Sequence, residues 1–149
     1  MREWNVYLSG EIHSDWRERI GEAVREARLP VQLSGPVTDH AASDDIGEKI
    51  LGAEDNAFWR DRKGAGINAI RTQTLLRLAD IVVVRFGDKY RQWNAAFDAG
   101  CLAAKGKAYI TLHDEDIIHP LKEVDAAAMA WATTPAQVVD ILSYVIKQK

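Results

Sequence analysis

The sequence predicts an α/β domain built on a parallel sheet, and three observations predict it. Short runs of β-branched and aromatic residues alternate along the chain with longer segments of helical apolar spacing. One of those runs, Ile81 to Phe86 (IVVVRF), is almost continuously apolar, as a strand covered on both faces must be. The chain has 149 residues, 47% of them hydrophobic and 28% charged, which is enough to bury one core over residues 1–149 without staples.

Asn5 to Ser9 (NVYLS) is short, rich in strand formers and ended by Gly10, so it reads as the first and central strand. Ser14 is placed to cap a helix running to about Arg28, with Trp16, Ile20, Ala23, Val24 and Ala27 on its apolar face and Pro30 as its stop. Val31 to Leu33 reads as a second strand. From Gly35 to about Gly66 charges, glycines and small residues mix. Short helical excursions are expected there, in a connection long enough to be either functional or a solvated insertion. Ile67, Ile70, Thr74, Leu75 and Leu78 then mark an amphipathic helix leading to IVVVRF.

A helix from about Asn94 to Lys105, closed by Gly106, comes next. Its run of Ala, Phe, Cys and Leu predicts burial on most sides. Lys107 to Leu112 is the fourth strand, HDEDIIHPLKE a loop with one helical turn, and Met129 to Thr133 a fifth strand. Thr134, Pro135 and Gln137 make a capping box for a last helix that buries Val138, Ile141, Leu142 and Val145. Five strands alternating with helices imply right-handed crossovers and a ligand crevice beyond the carboxyl ends of the strands, where strand order reverses.

Composition narrows the function classes. The net charge of −3, with no basic run, argues against a nucleic-acid polymer or an anionic membrane as partner. No apolar stretch is long enough to span a bilayer, and MREWNVYLSGE is too polar for a signal peptide. The single cysteine, Cys101, permits no internal disulfide and reads as a small packing group. A cytoplasmic location is expected.

Within this frame a few residues stand out. Asp98 sits in an apolar helix, where an isolated carboxylate is costly and calls for a partner or a substrate. Either it is catalytic or it binds free amides near the helix start. Glu11 and His13 follow the first strand, where parallel sheets place ligands; solvated loop roles are the plainer reading. Ser14 opens a helix start able to hold an anion. Tyr7 points to one face of the sheet, where core packing is the commoner use, and Trp93 can stack on a planar base, against the commoner core or interface role of a tryptophan. Gly64 and Gly66 match neither a Walker loop nor a dinucleotide fingerprint and read as a helix lead-in. Asp39, His40, Asp44 and Asp45 cluster in sequence, but turns and caps account for them without a metal.

Three segments, in order and spacing, resemble one superfamily. VYLSGEI is similar to the opening strand and loop of the nucleoside 2-deoxyribosyltransferase superfamily, ADIVVVRFGD to its central strand, and WNAAFDAGCLAAKGKAYI to its signature helix. With FGDKYRQWNAAFDAG and HPLKE, nearly the full chain resembles the YtoQ-like branch.

The resemblance implies a flavodoxin-like, doubly wound, mainly parallel five-stranded sheet with helices on both faces. It implies glycosyl transfer or N-glycosidic hydrolysis on a nucleoside or nucleotide, with no metal or redox cofactor. Asp98 takes the place of the family's nucleophile and Tyr7 that of the tyrosine positioning it. Gly10, Glu11, His13 and Ser14 lie in the loop around the nucleoside, and Gln92 and Asn94 fall where the superfamily binds the sugar. Related folds assemble as homo-oligomers.

Two departures shape the expectation. The superfamily's nucleophile is glutamate, one methylene longer than Asp98. Arg71 and Thr72 stand near the position where the superfamily's transferases carry an acid that helps protonate the leaving base, and arginine cannot be a general acid at neutral pH. A phosphorylated or modified nucleoside, its charge received by Arg71 or the Ser14 helix start, is the expected substrate. The alternative from another class is a nucleotide-binding module in which Asp98 accepts a hydrogen bond from a ribose hydroxyl.

Overall fold

A computed structural model describes residues 2–147. The residues group into two compact units, 1–34 with 79–149, and 35–78.

The larger unit holds a five-stranded, all-parallel sheet in the order β2-β1-β3-β4-β5. Its strands are β1 (Trp4–Gly10), β2 (Val31–Ser34), β3 (Ile81–Arg85), β4 (Tyr109–Leu112) and β5 (Ala130–Ala132). Helices α1 (Trp16–Glu26) and α6 (Pro135–Lys147) contact each other beside one face of the sheet. Helix α4 (Trp93–Ala104) packs over β1, β3 and β4 on the other, where it meets the short α5 (Lys122–Ala127). The sheet is thus doubly wound, and its order reverses between β1 and β3.

Strand pleating sends alternate side chains to opposite faces, and here the two faces differ in chemistry. Val6, Leu8, Val83, Ile110 and Leu112 form a wholly apolar core with Trp16, Ile20 and Val24 of α1 and Val138 and Leu142 of α6. The intervening residues of β1 and β4, namely Tyr7, Ser9, Tyr109 and Thr111, are equally buried but polar. Polar groups out of water need partners, so the α4 side of the sheet is where chemistry can be built.

The capping box at α6 forms as the sequence predicts. Thr134 Oγ1 accepts from the Gln137 amide at 3.2 Å, and Gln137 Oε1 accepts from the Thr133 amide at 2.7 Å. Val145, expected in the core, is 40% exposed, because α6 buries only the stripe through Val138, Val139 and Leu142. Helix α1 ends at Glu26, and its cap position is Asp15 rather than Ser14.

The smaller unit is a helical hairpin of α2 (His40–Leu51) and α3 (Ala57–Leu78). Asp39 caps α2, accepting from the Ala42 amide at 3.0 Å. Gly64 and Gly66 lie inside the 22-residue α3 and do not precede a helix as expected. Gly64 is there for packing: a Cβ on its partner Gly47 would come within 2.4 Å of the Gly64 nitrogen. Two glycines face to face let the helix backbones approach closely.

Candidate active site

The crevice lies at the carboxyl ends of β1 and β3, where strand order reverses, and two loops form it. Ser9 of β1 pairs in register with Val84, and Gly10 with Arg85. The Glu11 amide continues the ladder, donating to the Arg85 carbonyl at 3.1 Å. Above it the loop after β1 meets the loop after β3. The Glu11 side chain lies over Gly87, where any Cβ would be 2.7 Å from Glu11 Cγ, and the His13 and Tyr90 rings are 4.9 Å apart. Tyr90 holds a positive φ of 72°, uncommon for a residue with a side chain and typical of a constrained turn.

Asp98 is in the second turn of α4, facing the polar side of the sheet. Ser9 Oγ donates to its Oδ2 at 2.7 Å. Burial raises the Asp98 pKa above its ordinary value, and the Ser9 hydrogen bond opposes that rise. Ser9 is 1% exposed and fixed in a central strand, so its hydroxyl holds one carboxylate oxygen in place. Sequence reading missed Ser9. The available signal was strand period: Ser9 lies two residues beyond Tyr7, on the same face. Tyr7 itself is 1% exposed on that face.

The other expected site residues divide by what their polar atoms do. Glu11 is buried at 4% exposure and braces its own loop, accepting from the His13 amide and from Ser14 Oγ at 2.6 Å. Gln92 likewise ties the second loop together: its Oε1 accepts from the Gly87 amide at 3.0 Å, and its Nε2 donates to the Lys89 and Tyr90 carbonyls. Both amide groups are spent on the loop. Trp93 and Asn94 open α4 and are exposed, Trp93 at 73%. Gly10 has φ +107° and lets β1 and β3 meet. Arg71 belongs to the smaller unit and donates to the Gly35 carbonyl at 2.6 Å.

Helix α4 is not buried on most sides. Ala95, Ala99 and Leu102 face inward, while Phe97 is 68% exposed and, with Trp93, Gly100 and Ala104, forms an open stripe at helical spacing. Its apolar composition serves two faces, and composition alone does not distinguish an inner face from an outer one.

Sequence reading also missed a buried pair beyond β4. His113, 0% exposed, has Nδ1 2.7 Å from the Asp114 carbonyl and Nε2 2.7 Å from Asp125 Oδ2. A carbonyl only accepts, so Nδ1 donates to it, and Asp125 Oδ2 is the partner of Nε2. Trp131 stacks on the ring at 5.1 Å. Together these tie α5 to the end of β4. Asp125→Ala leaves the buried imidazole unmatched and should cost about 2–3 kcal/mol in urea unfolding; a loss under about 0.5 kcal/mol would show that the pair does not secure this edge.

Among the described residues, no group of three His, Cys, Asp or Glu side chains is arranged to hold a metal ion. No described helix is long and apolar enough to cross a membrane.

The family profile described as "Nucleoside 2-deoxyribosyltransferase YtoQ" matches residues 7–146, a span that contains both crevice loops and α4. The chain belongs to this family. It is 45% identical over 145 residues to the uncharacterized protein YtoQ of Bacillus subtilis (strain 168), covering 97% of this chain and 98% of that one. Among solved structures, a conserved protein from Enterococcus faecalis V583 superposes with a TM-score of 0.68 at 12% identity, over 97% of this chain and 99% of that one. A 2-deoxyribosyltransferase from Bacillus psychrosaccharolyticus superposes with a TM-score of 0.54 at 12% identity, over 91% and 90% of the two chains. At such identities the likeness is one of fold. It places this YtoQ-family chain on the doubly wound sheet of the nucleoside 2-deoxyribosyltransferases.

Proposed function

We propose that the protein is a nucleoside or nucleotide N-glycosidase, or a glycosyl-transfer enzyme, in which Asp98 attacks the anomeric carbon. The observation that carries this reading is the Asp98 carboxylate, partly withdrawn from water at the sheet's switch point and held through one oxygen by Ser9 at 2.7 Å. A carboxylate so held presents its other oxygen, Oδ1, for attack.

The step forms a bond from Oδ1 to C1′ and breaks the bond from C1′ to the base nitrogen. The base leaves with that electron pair and takes a proton from solvent. Water or a second base then attacks C1′ and gives up a proton to solvent, while the bond from C1′ to Oδ1 breaks and its electron pair returns to Asp98. Tyr7, on the strand face that carries Ser9, is the second positioning group, as the family resemblance implies. Trp93 offers an open aromatic face to the base, with Asn94, His13 and the Gly10 backbone lining the sugar. No metal or redox cofactor is required. The exposed stripe Phe97–Gly100–Ala104 supports assembly as a homo-oligomer.

The test is chromatographic detection of free base released from a panel of nucleosides and their 5′-monophosphates. Release that depends on Asp98 supports the reading. A folded protein that binds panel members but releases no base would be a nucleotide-binding module instead.

Ser9→Ala gives a second expected outcome. Its hydroxyl favours the ionised carboxylate, so its loss lets burial raise the Asp98 pKa further. The acidic limb of the rate profile should move to higher pH. Activity at neutral pH should fall roughly tenfold, the worth of a hydrogen bond to a charged group. Ser9→Thr, which keeps the hydroxyl, should recover much of the loss. An unmoved acidic limb in the alanine variant would remove Ser9 from the positioning role.

A further inference from the structure

Two arginines reach the carboxyl edge of the sheet, and they are held differently. Arg17 donates four hydrogen bonds to the Leu8, Gly10 and Glu11 carbonyls at 2.6–3.1 Å. Its donors match the fold, and burial brings its pKa down only to about 10. Arg85, the last residue of β3, has nothing comparable. Its Nη1 reaches the Leu112 carbonyl at 3.4 Å and Asp114 Oδ1 at 4.0 Å, both at the outer limit of such contacts. Its Nε is buried with no acceptor among the described residues. The Arg85 side chain is 15% exposed, whereas that of Asp114 is 58% exposed and largely in water.

A guanidinium drawn from water without good acceptors is costly, and native folds rarely keep one without a use. Its register partner on β1 is Gly10, which has no side chain to offer it. The Glu11 carboxylate, next along that loop, is spent on the His13 amide and the Ser14 hydroxyl. The donors expected to receive an anion, Ser14 and Arg71, are themselves committed, to Glu11 and to the Gly35 carbonyl.

We propose that Arg85 anchors an oxyanion site at the β1–β3 switch point, taking a phosphate or carboxylate group on its planar fork. Parallel N–H groups on a guanidinium match two oxygens of either anion. By strand alternation Arg85 leaves the sheet on the face of Val83, and Ser9, which holds Asp98, leaves on the other. A single ligand touching both Arg85 and Asp98 must therefore straddle the strand ends.

The test is titration of the full chain with sodium phosphate and, separately, sodium acetate at constant ionic strength. Backbone amide resonances of Phe86, Gly87 and Asp114 are followed. Saturable shifts are expected with at least one anion. Arg85→Gln should weaken that affinity roughly tenfold or more, and Arg85→Lys, which keeps the charge and loses the fork, by less. No saturable binding by the wild type, or equal affinity in the glutamine variant, overturns the proposal. Should the glutamine variant not fold, unchanged affinity in the lysine variant overturns it as well. A nucleoside and its 5′-monophosphate form a further arm. Tighter binding of the monophosphate that depends on Arg85 makes the anion part of one nucleotide ligand. Arg85-dependent binding of the free anion alone makes it a separate site. None of these readouts requires base release, so the glycosidase reading can fail while this one stands.

Discussion

Asp98→Asn should abolish base release while leaving the protein at least as stable as the wild type. The two effects have one cause. Burial holds the Asp98 pKa above its ordinary value of 3.8, so the folded state binds this proton more tightly than the unfolded chain does. Ionised Asp98 therefore opposes folding at neutral pH. Its stability contribution is most favourable below the unfolded pKa and declines as pH rises through the window up to the folded pKa. Asparagine removes the charge and keeps an oxygen that can still accept from Ser9.

The melting temperature of the variant should then match or exceed that of the wild type at pH 7, with the gap closing below about pH 3.8, where Asp98 is protonated in both states. Activity should fall by roughly a thousandfold or more, since an amide cannot form the glycosyl ester. Asp98→Glu keeps a carboxylate but adds a methylene against a strand that does not move. Losses of roughly a hundredfold are expected from about an ångström of misplacement. A variant that is destabilised at pH 7 and still releases base would show that Asp98 is structural.

The sheet was legible because its strands are short, apolar and separated by helical spacing, and all five form where the residues predict. The hairpin was not. Gly64 and Gly66 read locally as a helix lead-in, yet Gly64 lies inside α3, where its pairing with Gly47 rewards glycine with close backbone contact. Asp98 was legible as a lone carboxylate in an apolar run. Its partner Ser9 was not, because 89 residues separate them and only strand order brings them together. His113 and Asp125, only 12 residues apart, were hidden because the segment joining them reads as a loop with one helical turn. Glu11 and Gln92 stood out as candidate ligand groups because of where they fall, and the structure adds that both brace their own loops. What local pattern omits is that a tight loop consumes the polar side chains nearest to it.

Gly10→Ala should be the most damaging single methyl group in the crevice. A Cβ there would lie 2.2 Å from the Arg85 carbonyl oxygen, 2.9 Å from its nitrogen and 3.0 Å from its carbonyl carbon. All three are backbone atoms of the adjacent central strand, so no side chain can rotate away. The residue also holds φ +107°, a conformation that side-chain-bearing residues rarely adopt. Overpacking and backbone strain together should cost about 3–5 kcal/mol, a large part of the ~5–15 kcal/mol typical of a domain.

Relief can come only from separating β1 and β3 at the register that carries Ser9 and Arg85. Whatever folded protein remains should therefore lose the Ser9–Asp98 geometry too. Gly106→Ala is the matched comparison: its φ is +65° and nothing lies within 4 Å of a new Cβ, so only the conformational term applies, about 1 kcal/mol. Urea unfolding of the two variants reads the difference directly. If both cost about the same, the close approach of β1 and β3 at Gly10 is not what makes glycine necessary, and the crevice tolerates a wider spacing than the strand register indicates.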